Sequence, residues 1–215
     1  MLYDPTDRSG PFWQLFQEVQ QCKEKHPCAY LNKRAYYWEP NSFTVDDWRK
    51  AHLYLGDIDR RVVFVCESPG GPRPQDLRPT TPRRCWAGKG FRDKRFEEVR
   101  KENGFQDCYI TNSVKCGVRQ RDRQGAVHTD DEINGCISFL LRELELIQPL
   151  VVVGVGANAA AILRKWCLPR MKIRPALFRV THYSARGRTI DLWEKWKQEF
   201  QALKGLLSRL ERRSE

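Results

Sequence analysis

The sequence predicts an α/β fold of three layers, α/β/α, in which helices cover both faces of a central, mainly parallel four-stranded sheet. Three observations predict it. Four short runs rich in β-branched residues recur along the chain, "VVFV" at 62–65, "CYITNSV" at 108–114, "PLVVVGVG" at 149–156 and "ALFRVTHY" at 176–183. Segments with apolar residues at helical spacing separate them, and strands that alternate with helices build parallel sheets covered on both sides. The length, 215 residues, is enough for one such domain with a sizeable core.

The elements follow in chain order. "PFWQLFQEVQQ" from Pro11 places Phe12, Leu15, Phe16 and Val19 at helical spacing and reads as a short amphipathic helix ending near Cys22. In the aromatic and charged stretch that follows, Thr44 or Asp46 is placed to cap another. After the first strand, 92–103 has the helical pattern of Phe96 and Val99, and after the second, 130–147 repeats it with Ile133, Ile137, Leu140, Leu141, Leu144 and Ile147. A helix from Ala157 to Trp166 follows the third strand. From Ile190 to about Leu210 one face carries Leu192, Trp193, Trp196, Phe200, Leu203, Leu207 and Leu210, the pattern of a packed terminal helix with a basic outer side. The expected organisation is one domain over 1–215: an amino-terminal helical region 1–60, an α/β core 61–189 and a carboxy-terminal helix 190–215.

Lys and Arg number 38 against 27 Asp and Glu, a surplus of 11 positive charges spread along the chain. That balance favours a polyanionic partner, most simply nucleic acid. No apolar run reaches the roughly 18 residues of a membrane span, and "MLYDPTDRSGPFW" lacks the basic-then-apolar order of a secretion signal. The expectation is a soluble, cytoplasmic protein without membrane contact. In a reducing compartment eight cysteines point to metal ligation or to burial of small apolar side chains, not to four disulfides.

Each strand delivers a distinctive polar group to what should be one edge of the sheet, where α/β folds bind ligands. The first releases Cys66-Glu67-Ser68-Pro69-Gly70-Gly71, the second Thr111-Asn112, the third Gly154 and Gly156, the fourth Thr181-His182-Tyr183-Ser184. Singly each has a plain structural reading: a glutamate in a turn, an amide bonded to nearby backbone, a histidine at the rim. The two glycines make only half of a dinucleotide fingerprint, which argues against a nucleotide cofactor.

Taken together and in this order, "VCESPGG", "CYITNSVKC", "IQPLVVVGVGANAAAIL" and "VTHYSARGR" resemble successive segments of the iron–sulfur type, or family 4, of uracil-DNA glycosylases. The likeness runs from about Cys22 to Arg188. It implies a uracil-DNA glycosylase-like fold and monofunctional excision of a base from DNA, leaving an abasic site without magnesium. Breaking an N-glycosidic bond puts positive charge on the sugar and negative charge on the leaving base. The resemblance implies that Glu67 stabilises the sugar cation or orients water, that His182 donates to the base oxygen, and that Asn112 reads the base edge. Because the base must be turned out of the duplex, the "SARGR" turn, with Ser184, Arg186 and Arg188, is the expected DNA clamp, together with Gly70 and Gly71.

The resemblance also implies a structural [4Fe–4S] cluster. Matched residue by residue, its ligands are Cys22, Cys28, Cys116 and Cys136; four thiolates suit zinc as the chemical alternative. The family's first pair is spaced Cys-x-x-Cys, whereas five residues intervene in "CKEKHPC". Cys66, Cys108 and Cys167 read as core thiols. Where the family stacks a phenylalanine on the base, this chain has "RRCWAGKGF", with Cys85, Trp86 or Gly88 at that place. Ser68 in the glutamate turn and Tyr183 in place of proline after the histidine are further changes. An altered pocket suits uracil if Trp86 stacks, or a bulkier deaminated or modified base such as a modified cytosine of phage DNA; "DLRPTTPRR" at 76–84 shapes that entrance or grips phosphate. Either DNA repair or defence against foreign DNA fits, the enzyme acting as a monomer on DNA. The competing readings are a catalytically inactive DNA-binding protein on the same fold and a zinc-bound interaction module.

Overall fold

The computed structural model describes residues 10, 11, 14, 15, 18, 59–67, 91–106, 108–115, 130–185 and 188–214. β1 (Asp59–Cys66) sends Val62, Phe64 and Cys66 to one face and Val63 and Val65 to the other. All five are buried, which identifies a central strand enclosed from both sides. There follow α1 (Phe91–Glu102), β2 (Cys108–Asn112), α2 (Asp130–Ile147), β3 (Val151–Val155), α3 (Ala157–Ile162), β4 (Ala176–Val180) and α4 (Thr189–Ser214). The strands lie in the order β2-β1-β3-β4 and every pairing is parallel.

Two cores make the three layers. On one face Ile133, Ile137, Leu140 and Leu144 of α2 meet Val63, Val65, Tyr109 and Val152. On the other, Phe96 and Val99 of α1 and Trp196, Phe200 and Leu203 of α4 meet Val62, Phe64, Ile110 and Val153. Phe96 anchors the second core, with its ring centroid 5.5 Å from those of both Trp196 and Phe200. At the amino terminus Pro11, Gln14, Leu15 and Glu18 are helical, Leu15 is buried, and Glu18 pairs with Arg142 of α2. Among the described residues no helix is long and apolar enough to cross a membrane.

The departures from the sequence expectations have local causes. The second strand stops at Asn112, two residues early, because the chain there folds over the end of β1. Ser113 N–H donates to the Cys66 carbonyl at 2.8 Å and Val114 N–H to the Glu67 carbonyl at 2.9 Å. The expected helix 157–166 is instead α3, a π turn over Leu163–Cys167 and a 3-10 turn over Leu168–Arg170. Pro169, lacking an N–H and held at fixed φ, stops any continuation. The terminal helix is longer than its apolar pattern, because its last turns are mostly polar.

Buried charge concentrates beside β2. Lys115 Nζ lies 2.6 Å from Glu143 Oε2 and 2.8 Å from Thr111 Oγ1, and the Thr111 hydroxyl donates to the same carboxylate oxygen at 2.8 Å. Both charged side chains are almost wholly enclosed. Burial pushes the Cys167 thiol up from 9.0 to about 12; Lys115 opposes the rise and Glu143 adds to it. The unfolded thiol ionises near its ordinary value while the folded one stays protonated. Cys167 therefore contributes stability that is complete below about pH 9 and is lost as pH rises towards 12, at about 1.4 kcal/mol per pH unit. Alkaline denaturation of a Cys167→Ala variant should show a shallower decline than the parent protein; parallel declines would refute this.

Candidate active site

The chain leaves β1 for β2 on one side and returns through β3 on the other, so the sheet order reverses between β1 and β3. Ligands of open α/β sheets bind at the carboxyl ends of the strands flanking such a point. Glu67 is the first residue after β1. Its carbonyl accepts Val114 N–H and, at 2.8 Å, the Ser113 hydroxyl, which pins its backbone. Its side chain reaches towards β3, where Asn158 Nδ2 donates to Oε2 at 3.0 Å. The other oxygen, Oε1, is buried with no hydrogen-bond partner among the described residues. Asn158 lies within the segment "IQPLVVVGVGANAAAIL", but nothing in that segment singles out its amide. Only the adjacency of β1 and β3, which the sequence does not display, gives it importance.

Two glycines make the β3 end narrow enough for this. A Cβ at Gly154 would lie 2.7 Å from Ala160 Cα, so α3 rests directly on the strand. Gly156, at φ +96, has the left-handed backbone that a side chain disfavours, and a Cβ there would stand 3.0 Å from His182 Cβ. The β3 turn thus lies between Glu67 and His182 and touches both: Asn158 on one side, Gly156 on the other.

His182 follows β4 by two positions. Its Nδ1 accepts the Ser184 N–H at 3.0 Å and lies 2.7 Å from the Ser184 hydroxyl. A backbone donor on Nδ1 places the proton of a neutral imidazole on Nε2. The ring stacks on Tyr183 at 4.1 Å, and Tyr183 packs on Phe96 at 5.9 Å. Tyr183, expected at the pocket wall, thus turns towards the core and braces the histidine. Further braces come from α4 and α1. Glu199 accepts the Thr181 N–H and hydroxyl, both at 2.7 Å, Trp196 Nε1 donates to the Thr181 carbonyl at 3.0 Å, and Arg92 donates to the Ala185 carbonyl at 2.7 Å.

Asn112 ends β2, buried and in register with Cys66, so it sits beside Glu67 on the side away from β3. Ser184, expected on DNA, orients His182. Arg188 is 83% exposed but engages Asp191 through two hydrogen bonds of 2.8 and 3.1 Å. Cys136 is buried in the α2 core. Cys22, Cys28, Ser68, Gly70, Gly71, Cys85, Trp86, Cys116 and Arg186 lie outside the described residues. Among the described residues no three His, Cys, Asp or Glu side chains converge to hold a metal.

Comparison with known proteins identifies the family. The chain is similar to a type-4 uracil-DNA glycosylase of Thermotoga maritima, 37% identical over 106 residues, 48% of this chain and 49% of the relative. It is also similar to a type-4 uracil-DNA glycosylase of Archaeoglobus fulgidus, 32% identical over 114 residues, 51% of this chain and 50% of the relative. The chain thus spans about half the length of the curated relatives it matches. The family profile described as the uracil DNA glycosylase superfamily matches residues 53–203, from just before β1 into α4. With a parallel four-stranded sheet and its polar groups gathered at the carboxyl edge, this chain belongs to the uracil DNA glycosylase superfamily.

Proposed function

We propose that the chain is a DNA N-glycosylase that hydrolyses the bond between deoxyribose C1′ and an everted base. In that reaction the C1′–N bond breaks with its electron pair passing to the base. Water oxygen bonds to C1′, and the proton that water loses ends on the base, leaving an abasic site. The observation that supports the reading best is the pair of opposed groups on either side of the β3 turn. Glu67 supplies a carboxylate for the cationic sugar or its attacking water, and His182 supplies an Nε2–H for the oxygen of the departing base. Asn112 at the neighbouring strand end is the proposed reader of the base edge. Arg186 and Arg188 are the proposed phosphate contacts, the latter after exchanging Asp191 for DNA.

Uracil is the base for which both relatives are named and is the first substrate to test. Cys22, Cys28, Cys116 and Cys136 are the proposed ligands of a structural cluster, and their soft thiolates suit iron or zinc. Cys136 fits because its thiol is enclosed in the same core as Val114, two residues before Cys116. A [4Fe–4S] group there would cross-link the amino-terminal segment to α2.

The test is incubation of metal-analysed protein with duplex and single-stranded oligonucleotides containing uracil, hypoxanthine or modified cytosines, followed by alkaline cleavage. Breakage at the uracil position alone is expected. Selective breakage at another base would reassign the substrate, and salt-sensitive binding with no breakage at any base would overturn the enzymatic reading.

A further inference from the structure

We infer that Asn158 is a positioning residue that sets the orientation of the Glu67 carboxylate and thereby the rate of glycosidic hydrolysis. The inference rests on Glu67 being the reactive acid and extends that reading to a residue to which the sequence motifs assign no role.

A carboxylate at the end of a flexible glutamate side chain has two equivalent oxygens and a freely turning terminal torsion. Here the equivalence is broken. Oε2 is occupied by the Asn158 amide at 3.0 Å, while Oε1 is enclosed and unpartnered among the described residues. One oxygen is therefore held by the amide and the other enclosed, so the direction of the carboxylate is set.

The holder is itself firmly mounted. Asn158 stands one residue past the start of α3, whose backbone approaches β3 as closely as only a glycine at 154 permits. Gly156, at φ +96, fixes the turn that leads into it and donates its N–H to the Val180 carbonyl at 2.8 Å. The bond between Asn158 and Glu67 therefore spans the two strands that flank the reversal of sheet order, and the backbone that carries its donor cannot drift without displacing α3.

Asn158 is exposed in the free protein, where water weakens a neutral donor's hold on a carboxylate. A DNA strand covering the strand ends would exclude that water and strengthen the bond when the sugar cation forms. Displacement of the reacting oxygen by about 1 Å is enough to cost about two orders of magnitude in rate.

The experiment is a double-mutant cycle in single-turnover excision of uracil from duplex DNA, with Asn158→Ala and Glu67→Gln alone and combined. Dissociation constants for uncleaved duplex are measured alongside, and a crystal structure of N158A is determined. N158A is expected to slow excision about 10- to 100-fold with DNA affinity within about twofold of the parent. It should have no further effect on top of Glu67→Gln, and Asn158→Ser, which keeps a donor, should recover part of the rate. The crystal structure should show the Glu67 carboxylate turned from its present direction.

An N158A loss of the same size in the Glu67→Gln background would overturn the inference and assign Asn158 a direct contact with DNA or base. So would an unchanged rate, or an unmoved carboxylate in the N158A crystal. If Glu67→Gln alone leaves excision intact, or no base is excised at all, the catalytic reading of Glu67 fails. The crystal structure then still decides whether Asn158 sets the carboxylate.

Discussion

Replacing Glu67 by Gln should lower single-turnover excision by about 10²- to 10⁴-fold, the range contributed by one positioned acid–base group. The substitution keeps the shape and can retain an acceptor for the Asn158 amide, but it removes the negative charge. Stability should change little, because among the described residues the carboxylate spends a single hydrogen bond on the fold. Binding to DNA should be unchanged or tighter, since a negative charge near the phosphates disappears. Rates from a rapid-quench time course and a thermal midpoint on the same preparation separate the two effects. A variant within threefold of the parent would exclude Glu67 from the chemistry.

The second large effect belongs to the enclosed ion pair. Glu143→Leu leaves the Lys115 ammonium in an apolar surround with only the Thr111 hydroxyl as a neighbour in this network. Breaking a buried pair from one side typically costs about 3–5 kcal/mol, which for a chain of this size corresponds to a fall in Tm of roughly 10 °C or more. Replacing both partners, Lys115→Met with Glu143→Leu, removes the stranded charge and should recover most of the loss. Calorimetry of the single and double variants checks this, and a double variant no more stable than Glu143→Leu would show that the pair itself, not the stranded charge, carries the stability. Thr111 and Lys115 flank Asn112, so excision should fall in the single variant by more than its unfolded fraction explains.

Much of the fold was legible because its signals are local. The apolar runs of β1 and β3, the helical spacing of α2 and the stripe of α4 each report burial over a few consecutive residues, and the helix bounds differ from the expectations by a few positions. Asn158 was illegible for the opposite reason. Its neighbour in sequence is a run of alanines, and its relation to Glu67 exists only once β3 lies beside β1, a pairing across 91 residues. Ser184 shows the same limit at short range. The "THYS" turn displayed a serine near the histidine, but only backbone curvature turns its N–H onto Nδ1. Tyr183 read as a change in the pocket because proline stands there in the family pattern, while its ring in fact enters the aromatic core beneath. Glu143 and Lys115 carry no mark in the sequence, and no periodicity reveals that two charges in α2 and the loop after β2 enclose each other.

The clamp on Thr181 has a consequence for biosynthesis. Glu199 and Trp196 leave the ribosome after the histidine they secure, and Asn158 emerges long after Glu67. A nascent chain therefore carries Glu67 through 91 further residues before Asn158 exists, and Thr181 through 18 before Glu199 exists, and domains of this kind mature as units. Under the proposed reading, a site with both groups aimed forms only after α4 has docked on the turn that follows β4.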